Sequence, residues 1–408
     1  MTPHGNRERI EYLDFLRGIA VLGLLFMNIP FMGAFETGYV RHDPAIMSDN
    51  LMLTLSNFFF DGRFRSLFCL LFAIGLFLQS QSYQRQNLNT YVSLKSRLNW
   101  LLLFGLIHCT FIWSGDILIL YALSGFYLMR RLDWPAERLM QKGKLFFLIG
   151  IGISVLEALA WTYFETPITR DSTKFIETYE MLNEGYTYTI MVNFFIGVFY
   201  IVTFPILSLF YIGGVMMLGL GLFKSGELRN GFSQQQTRIL LAITVSFSSI
   251  AAYLTVFQPQ TGRYIAEIIS FVSGLSMALL IWHWVIKSRL YEQTNLIVIA
   301  IKRVGTMAFT FYITQSIAGT LLLRYLYPEW NLSFNLVDYF MLALTLVVIQ
   351  LIIALVYKQM FRQGPLEFLW RKLVRHVQQE PTQASNSKTS IEQSQTFDQK
   401  LEASEKQI

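Results

Sequence analysis

Runs of about 20 mostly apolar residues recur along the whole chain, and that is the length a helix needs to cross the hydrocarbon core of a bilayer. Such runs leave few folds open. Lipid cannot satisfy backbone N–H and C=O groups, so each spanning segment must satisfy its own. Composition points the same way: 53% of the 408 residues are hydrophobic and 15% are charged, where a soluble domain carries nearer a quarter. The sequence therefore predicts an all-α, polytopic transmembrane bundle of about ten spans.

The candidate spans are residues 12–34, 51–80, 97–113, 116–130, 145–164, 188–223, 238–257, 264–286, 304–324 and 336–357. Loop charge orients them. "QRQNLNTYVSLKSR" carries Arg85, Lys95 and Arg97 with no acid, and "RRLDWPAERLMQKGK" and "KSRLYEQTNLIVIAIKR" are also net basic. Residues 35–50 are neutral or acidic, and 165–187 carry Glu165, Asp171, Glu177, Glu180 and Glu184 against Arg170 and Lys174. Positively charged loops stay in the cytoplasm, so both termini are expected there. Two spans are irregular. Residues 51–80 hold Asp61, Gly62, Arg63 and Arg65 at their middle, and 188–223 is long and contains Pro205. Each reads as a broken or re-entrant helix, which survives at depth only where protein or a cavity surrounds it.

Residues 1–11 are read as a cytoplasmic N-terminus, 12–360 as the bundle, 361–376 as a basic amphipathic helix on the cytoplasmic surface, and 377–408 as a disordered tail. Asp14 and Arg17 interrupt the first apolar run and no small-residue cleavage site follows, so it is expected to be retained and not cleaved as a signal. Cys69 and Cys109 both lie in apolar segments, which argues against a disulfide framework or a zinc site, and no metal is expected. The net charge of +6 follows from loop topology and does not call for nucleic acid.

Ionisable groups within spans are costly and tend to line a pathway or meet a partner. Arg17 and Asn28 are eleven residues apart on the first span, and Arg97 and His108 repeat that spacing. Eleven residues are close to three turns, so each pair shares a face, about 16 Å apart along the axis. His108 and Asp116 flank "WSG" at the mouth of a tight hairpin. A turn at Gly115 would bring the carboxylate to the imidazole, fixing its tautomer and raising the basicity of the other nitrogen. The plainer alternative is a hydrogen-bonded His with Asp116 capping the next helix. His42, in the loop after the first span, is a weaker candidate base. Arg63 and Arg65 are conspicuous; with Asp61 neutralising one, the other would be free for phosphate or carboxylate. Gln315, beside Thr314 and Ser316, is either an interhelical hydrogen-bonding residue or a substrate contact.

The segments "LDFLRGIAVLGLLFMN", "FFFDGRFRSLFCLLFAIG", "RLNWLLLFGLIHCTFIWSGDILILYAL", "TFYITQSI" and "GPLEFLWRKL", in this order, resemble the bacterial YeiB family of membrane proteins. The resemblance runs from residue 8 to about 376. That family is grouped with the transmembrane acyltransferases, related to heparan-α-glucosaminide N-acetyltransferase. The resemblance implies transfer of an acyl group from cytoplasmic acyl-CoA, acetyl-CoA first among candidates, to a hydroxyl or amine on the outer face. The acyltransferase-3 branch has Arg, ten residues, then His; here Arg17 is followed at that spacing by Asn28. The heparan-type branch shares that Asn and carries its base in the outward loop, where His42 stands here.

On this reading His108, oriented by Asp116, is the base and His42 the alternative. Arg17, Arg63, Arg65 and Arg97 hold the donor, and Asn28 donates to the developing oxyanion. The expected setting is the bacterial inner membrane. The expected partners are the lipid bilayer and a small-molecule or glycan acceptor, with a homodimer admitted and nucleic acid excluded. The competing reading is a small-solute permease. The topology is testable: a reporter active only outside the cytoplasm should be silent when fused after residue 130 and active when fused after residue 170. The reverse pattern would overturn the orientation.

Overall fold

The computed structural model describes residues 11–34, 38–42, 44–164, 168–170, 172–182, 185–258 and 262–375, and its regular elements are all helical. The first half comprises α1 (Glu11–Ala34), α2 (Met47–Phe59), α3 (Arg63–Arg85), α4 (Thr90–Phe111) and α5 (Leu118–Met129). Then come α6 (Ala136–Phe164), α7 (Thr173–Leu182), α8 (Tyr186–Leu207), α9 (Leu209–Lys224) and α10 (Glu227–Asn230). The second half runs through α11 (Gln234–Phe257), α12 (Gly262–Ser288), α13 (Leu296–Thr306), α14 (Ala308–Thr320), α15 (Trp330–Ser333) and α16 (Leu336–Met360). A last helix, α17, covers 365–375. Residues 376–408, expected as a tail, lie outside the described residues.

Seven elements are long and apolar enough to cross a membrane: α1, α2–α3 taken together, α6, α8, α11, α12 and α16. The bent α13–α14 pair makes eight, and α5 and α9 are apolar but shorter. Every stretch expected to span is essentially helical, and the two irregular ones are indeed divided. The first breaks between α2 and α3, where Gly62 takes a φ of 76°, open to glycine at little cost. The second breaks at Ser208, just past Pro205, because proline removes a backbone donor and crowds the preceding turn.

A third break was not foreseen. The stretch 304–324 is helical from Ala308 onward, but it meets α13, Leu296–Thr306, expected as part of a basic loop, at about 90° around Met307. The cause is supplied from far along the chain: Glu367 on α17 accepts from Phe309 N–H (2.8 Å) and Thr310 N–H (3.0 Å), capping the exposed start of α14. The segment expected as a surface helix over 361–376 is helical over 365–375. It docks on the bundle, as α17, through Glu367 and through buried Trp370 and Val374, which join a cluster with Leu101, Phe309 and Tyr312.

Loops fall into the two sets that charge had separated. At one end Lys224 Nζ reaches the carbonyls of Leu132 and Trp134, and Lys302 pairs with Glu11 at 2.9 Å. At the other, Arg170 donates to the carbonyls of Val40, Leu332 and Phe334, Arg41 to that of Thr255, and Leu336 N–H to Asp49. Small residues set the crossing of α1 and α13. A Cβ added at Gly305 would stand 2.8 Å from Gly18 N and run into the Asp14 carbonyl. Gly305→Val should therefore destabilise the protein by about 1–3 kcal/mol through overpacking, read as a lower unfolding temperature in detergent; no change would contradict the close crossing.

Candidate functional site

The hairpin between α4 and α5 builds the site. Gly105 lets the chain fold back closely: a Cβ there would meet Ile119 N at 2.8 Å and Asp116 Oδ2 at 3.0 Å. Asp116 Oδ1 lies 2.8 Å from His108 Nδ1, and both residues are almost fully buried. Its Oδ2 accepts from Ile119 N–H at 2.8 Å, so one carboxylate orients the imidazole and caps the start of α5 together. The two roles weighed from sequence are both filled.

With Nδ1–H directed at the carboxylate, the lone pair of His108 sits on Nε2. That nitrogen is buried and has no hydrogen-bond partner among the described residues. Aromatic rings surround it: Tyr312 of α14 lies 5.3 Å away by centroids and Trp113 stands edge-on at 6.5 Å. The Tyr312 oxygen accepts from Ile117 N–H at 3.2 Å, which spends a lone pair and leaves its own proton for another acceptor. Trp113 Nε1 donates to the Phe31 carbonyl at 3.2 Å, joining the hairpin to the end of α1, one turn beyond Asn28. Tyr312 was absent from the candidates although it lies within the "TFYITQSI" motif; only the tertiary fold brings it to His108.

The remaining candidates divide. Arg17 is ion-paired with Asp14 at 2.9 Å and keeps a 30% exposed side chain. Arg97 is within Coulombic reach of both Arg17 and Arg371, and its guanidinium stacks 3.6 Å from the Trp370 ring. These three cations gather at the basic end. Arg63 and Arg65 do not join them: Arg17 Nη2 lies beside Gly75, ten residues further along α3, which is about 15 Å. The four arginines expected to hold the donor thus stand at two separate levels.

Arg63 is fully buried and donates to the carbonyls of Asn57 and Asp61 and, at 2.5 Å, to Ser248 Oγ. It satisfies the end of α2, while its buried Nε has no partner among the described residues. Gln315 also proves structural, its amide donating to the Val21 carbonyl (3.2 Å) and to Gln350 Oε1 (2.8 Å), which ties α14 to α1 and α16. His42 lies on a loop held by Arg41 to Thr255 and Asn50. Cys69 and Cys109 are free thiols in the core.

Comparison with known proteins bears on this arrangement. Residues 220–376 match the family model described as "Protein of unknown function (DUF418)". The chain is 28% identical over 396 residues to "Uncharacterized protein YeiB" of Escherichia coli (strain K12), covering 90% of this chain and 96% of that protein. Both matches support the YeiB family for this chain. A second relative, "Uncharacterized protein YxaH" of Bacillus subtilis (strain 168), is 25% identical over 400 residues, 91% of this chain and 95% of that one. No solved structure matches the chain. The YeiB-type match takes in both the His108 hairpin and the broken α13–α14 span.

The pair makes a graded prediction. Asp116→Asn keeps an oxygen for Ile119 N–H and loses the charge, whereas Asp116→Ala loses both. Removing one partner of a buried pair costs about 3–5 kcal/mol, so Ala should lower the unfolding temperature clearly more than Asn. Equal losses would show that the Ile119 contact adds nothing.

Proposed function

We propose that this protein is a membrane-embedded acyltransferase of the bacterial cell membrane, moving an acyl group from cytoplasmic acyl-CoA to an acceptor at the opposite face. The observation that carries the reading is the buried His108–Asp116 pair with Nε2 uncommitted. That is the arrangement a general base requires: one nitrogen fixed by a carboxylate, the other presented to a substrate proton. His108 Nε2 would take the proton from the acceptor hydroxyl or amine as its oxygen or nitrogen attacks the thioester carbonyl. The same imidazolium would then give a proton to the departing CoA thiolate. Tyr312, its own O–H uncommitted, is placed to donate to the oxyanion, with Asn28 the candidate named from sequence.

The basic end supports the donor side. Arg17 and Arg97 supply charge for phosphates, and an open groove lined by Tyr91, Lys95, Asn99 and Trp100 runs along α4 at that end. Lys95 offers a cation there and the two rings offer stacking faces for an adenine. From Arg97 to His108 is about 16 Å along α4, the scale of a pantetheine arm. Acetyl-CoA is the first donor to try. The acceptor is a small molecule or a glycan.

One observation favours a permease instead. Spans are broken at Gly62, Ser208 and Met307, and discontinuous helices build the substrate sites of many transporters. The two readings separate by experiment. In proteoliposomes given acetyl-CoA on the basic side and mixed amine and hydroxyl acceptors on the other, free CoA thiol should appear. His108→Ala should lower its rate by about 10²–10⁴-fold, the usual worth of a general base, and Arg17→Ala should weaken donor binding by calorimetry. Full activity in His108→Ala would remove the mechanism. Solute uptake without any acyl-CoA would favour the permease.

A further inference from the structure

A second group of charges lies around the elbow between α2 and α3, at a different level from the arginines of the basic end, and the acyl-transfer chemistry does not use it. Glu157 of α6 and Glu267 of α12 are within Coulombic reach of one another. Glu267 in turn acts on Asp61 and Arg65, at the elbow between α2 and α3. The helices meet closely there, since a Cβ at Gly274 would lie 2.7 Å from the Gly62 carbonyl carbon. The Arg65 guanidinium faces Phe271 at 5.0 Å and Tyr211 at 5.8 Å, and its buried Nε has no partner among the described residues.

Charge and depth then narrow what belongs at this place. Arg63 is committed to the backbone of the elbow. Glu267 is exposed and Glu157 partly so, on a flank whose neighbours Leu156 (68% exposed), Leu159 (62%) and Ile265 (44%) face outward. Carboxylates on such a flank are costly unless a cation meets them. Glu267 lies five residues inside Gly262 and Glu157 seven inside Phe164, about 8 and 10 Å below those helix ends. Glu267 also precedes Phe271, the ring under Arg65, by four residues, so the acids stand roughly 6 Å nearer the membrane surface than the guanidinium.

We propose that this flank binds the head group of a zwitterionic aminophospholipid, its ammonium between Glu157 and Glu267 and its phosphate on Arg65. The order of charges decides for a lipid: from the surface inward, such a molecule presents ammonium, then phosphate, then acyl chains. The protein presents carboxylates, then guanidinium, then apolar side chains. Arg65, assigned from sequence to a cytoplasmic donor, thereby gains a ligand of its own. The proposal stands independently of the acyltransferase reading.

Native mass spectrometry of the full-length protein in detergent, with equal amounts of phosphatidylethanolamine and phosphatidylglycerol added, tests it. The wild type should retain phosphatidylethanolamine about tenfold over phosphatidylglycerol, the scale of one charge-assisted hydrogen bond. Glu157→Gln/Glu267→Gln should erase that preference, Arg65→Gln should weaken both lipids, and His108→Ala should leave the preference intact. Circular dichroism checks the fold; if the double variant fails it, Glu267→Gln alone, at an exposed position, carries the same test. Equal retention by the wild type, or a preference that survives substitution, would overturn the proposal. So would displacement of the lipid by glycerophosphoethanolamine, the same head group without chains, which would move the site to a soluble zwitterion.

Discussion

A helix that breaks inside a bilayer uncovers backbone groups that lipid cannot satisfy, and the architecture of this protein depends on how charged side chains meet that demand. At the elbow between α2 and α3, the guanidinium of Arg63 gathers carbonyls of Asn57 and Asp61. At the bend between α13 and α14, the carboxylate of Glu367 gathers amides of Phe309 and Thr310. Each ion has the sign of charge that complements the helix end it faces, cation to carbonyls and anion to amides. These ions explain why α3 and α14 can turn their lengths toward the interior, and α14 is the helix that delivers Tyr312 to His108.

The His108 site follows the same economy of burial. An imidazole and a carboxylate are both almost fully buried, a placement tolerable because each satisfies the other and the carboxylate also serves a backbone amide. Gly105 allows that approach by leaving room where any side chain would press on Asp116 and Ile119. Only Nε2 is left over.

Much of this was legible in the sequence, in a pattern that physics explains. Spans showed as apolar runs, and two breaks showed because Asp61–Gly62–Arg63 and Pro205 sit inside such runs. The His108–Asp116 pair was legible because both residues belong to one short hairpin, eight positions apart. The bend at Met307 was not, because its cap lies 58 residues downstream. Nor was depth: counting arginines along the chain grouped Arg63 and Arg65 with Arg17 and Arg97, while the fold sets them at different levels. Glu157 and Glu267 stood in plain view as acids in apolar runs, but nothing local said that α6 and α12 would bring them together. Gln315 gave the right kind of signal, a polar group in an apolar helix, with the partner undetermined until α16 was in place.

The capping of α14 by α17 has a consequence for how the protein is made. Phe309 leaves the ribosome well before Glu367 does, and at about 5–20 residues per second that interval lasts roughly 3–12 s. Throughout it the bend at Met307 has its amides uncovered and Arg97 lacks the Trp370 ring beneath it. The helix that delivers Tyr312 to His108 therefore waits for α17 to be synthesised before its start is capped. A chain cut short before α17 would carry its spans into the membrane and still present an open seam, the kind of defect by which membrane proteases and insertases tell an unfinished protein from a finished one.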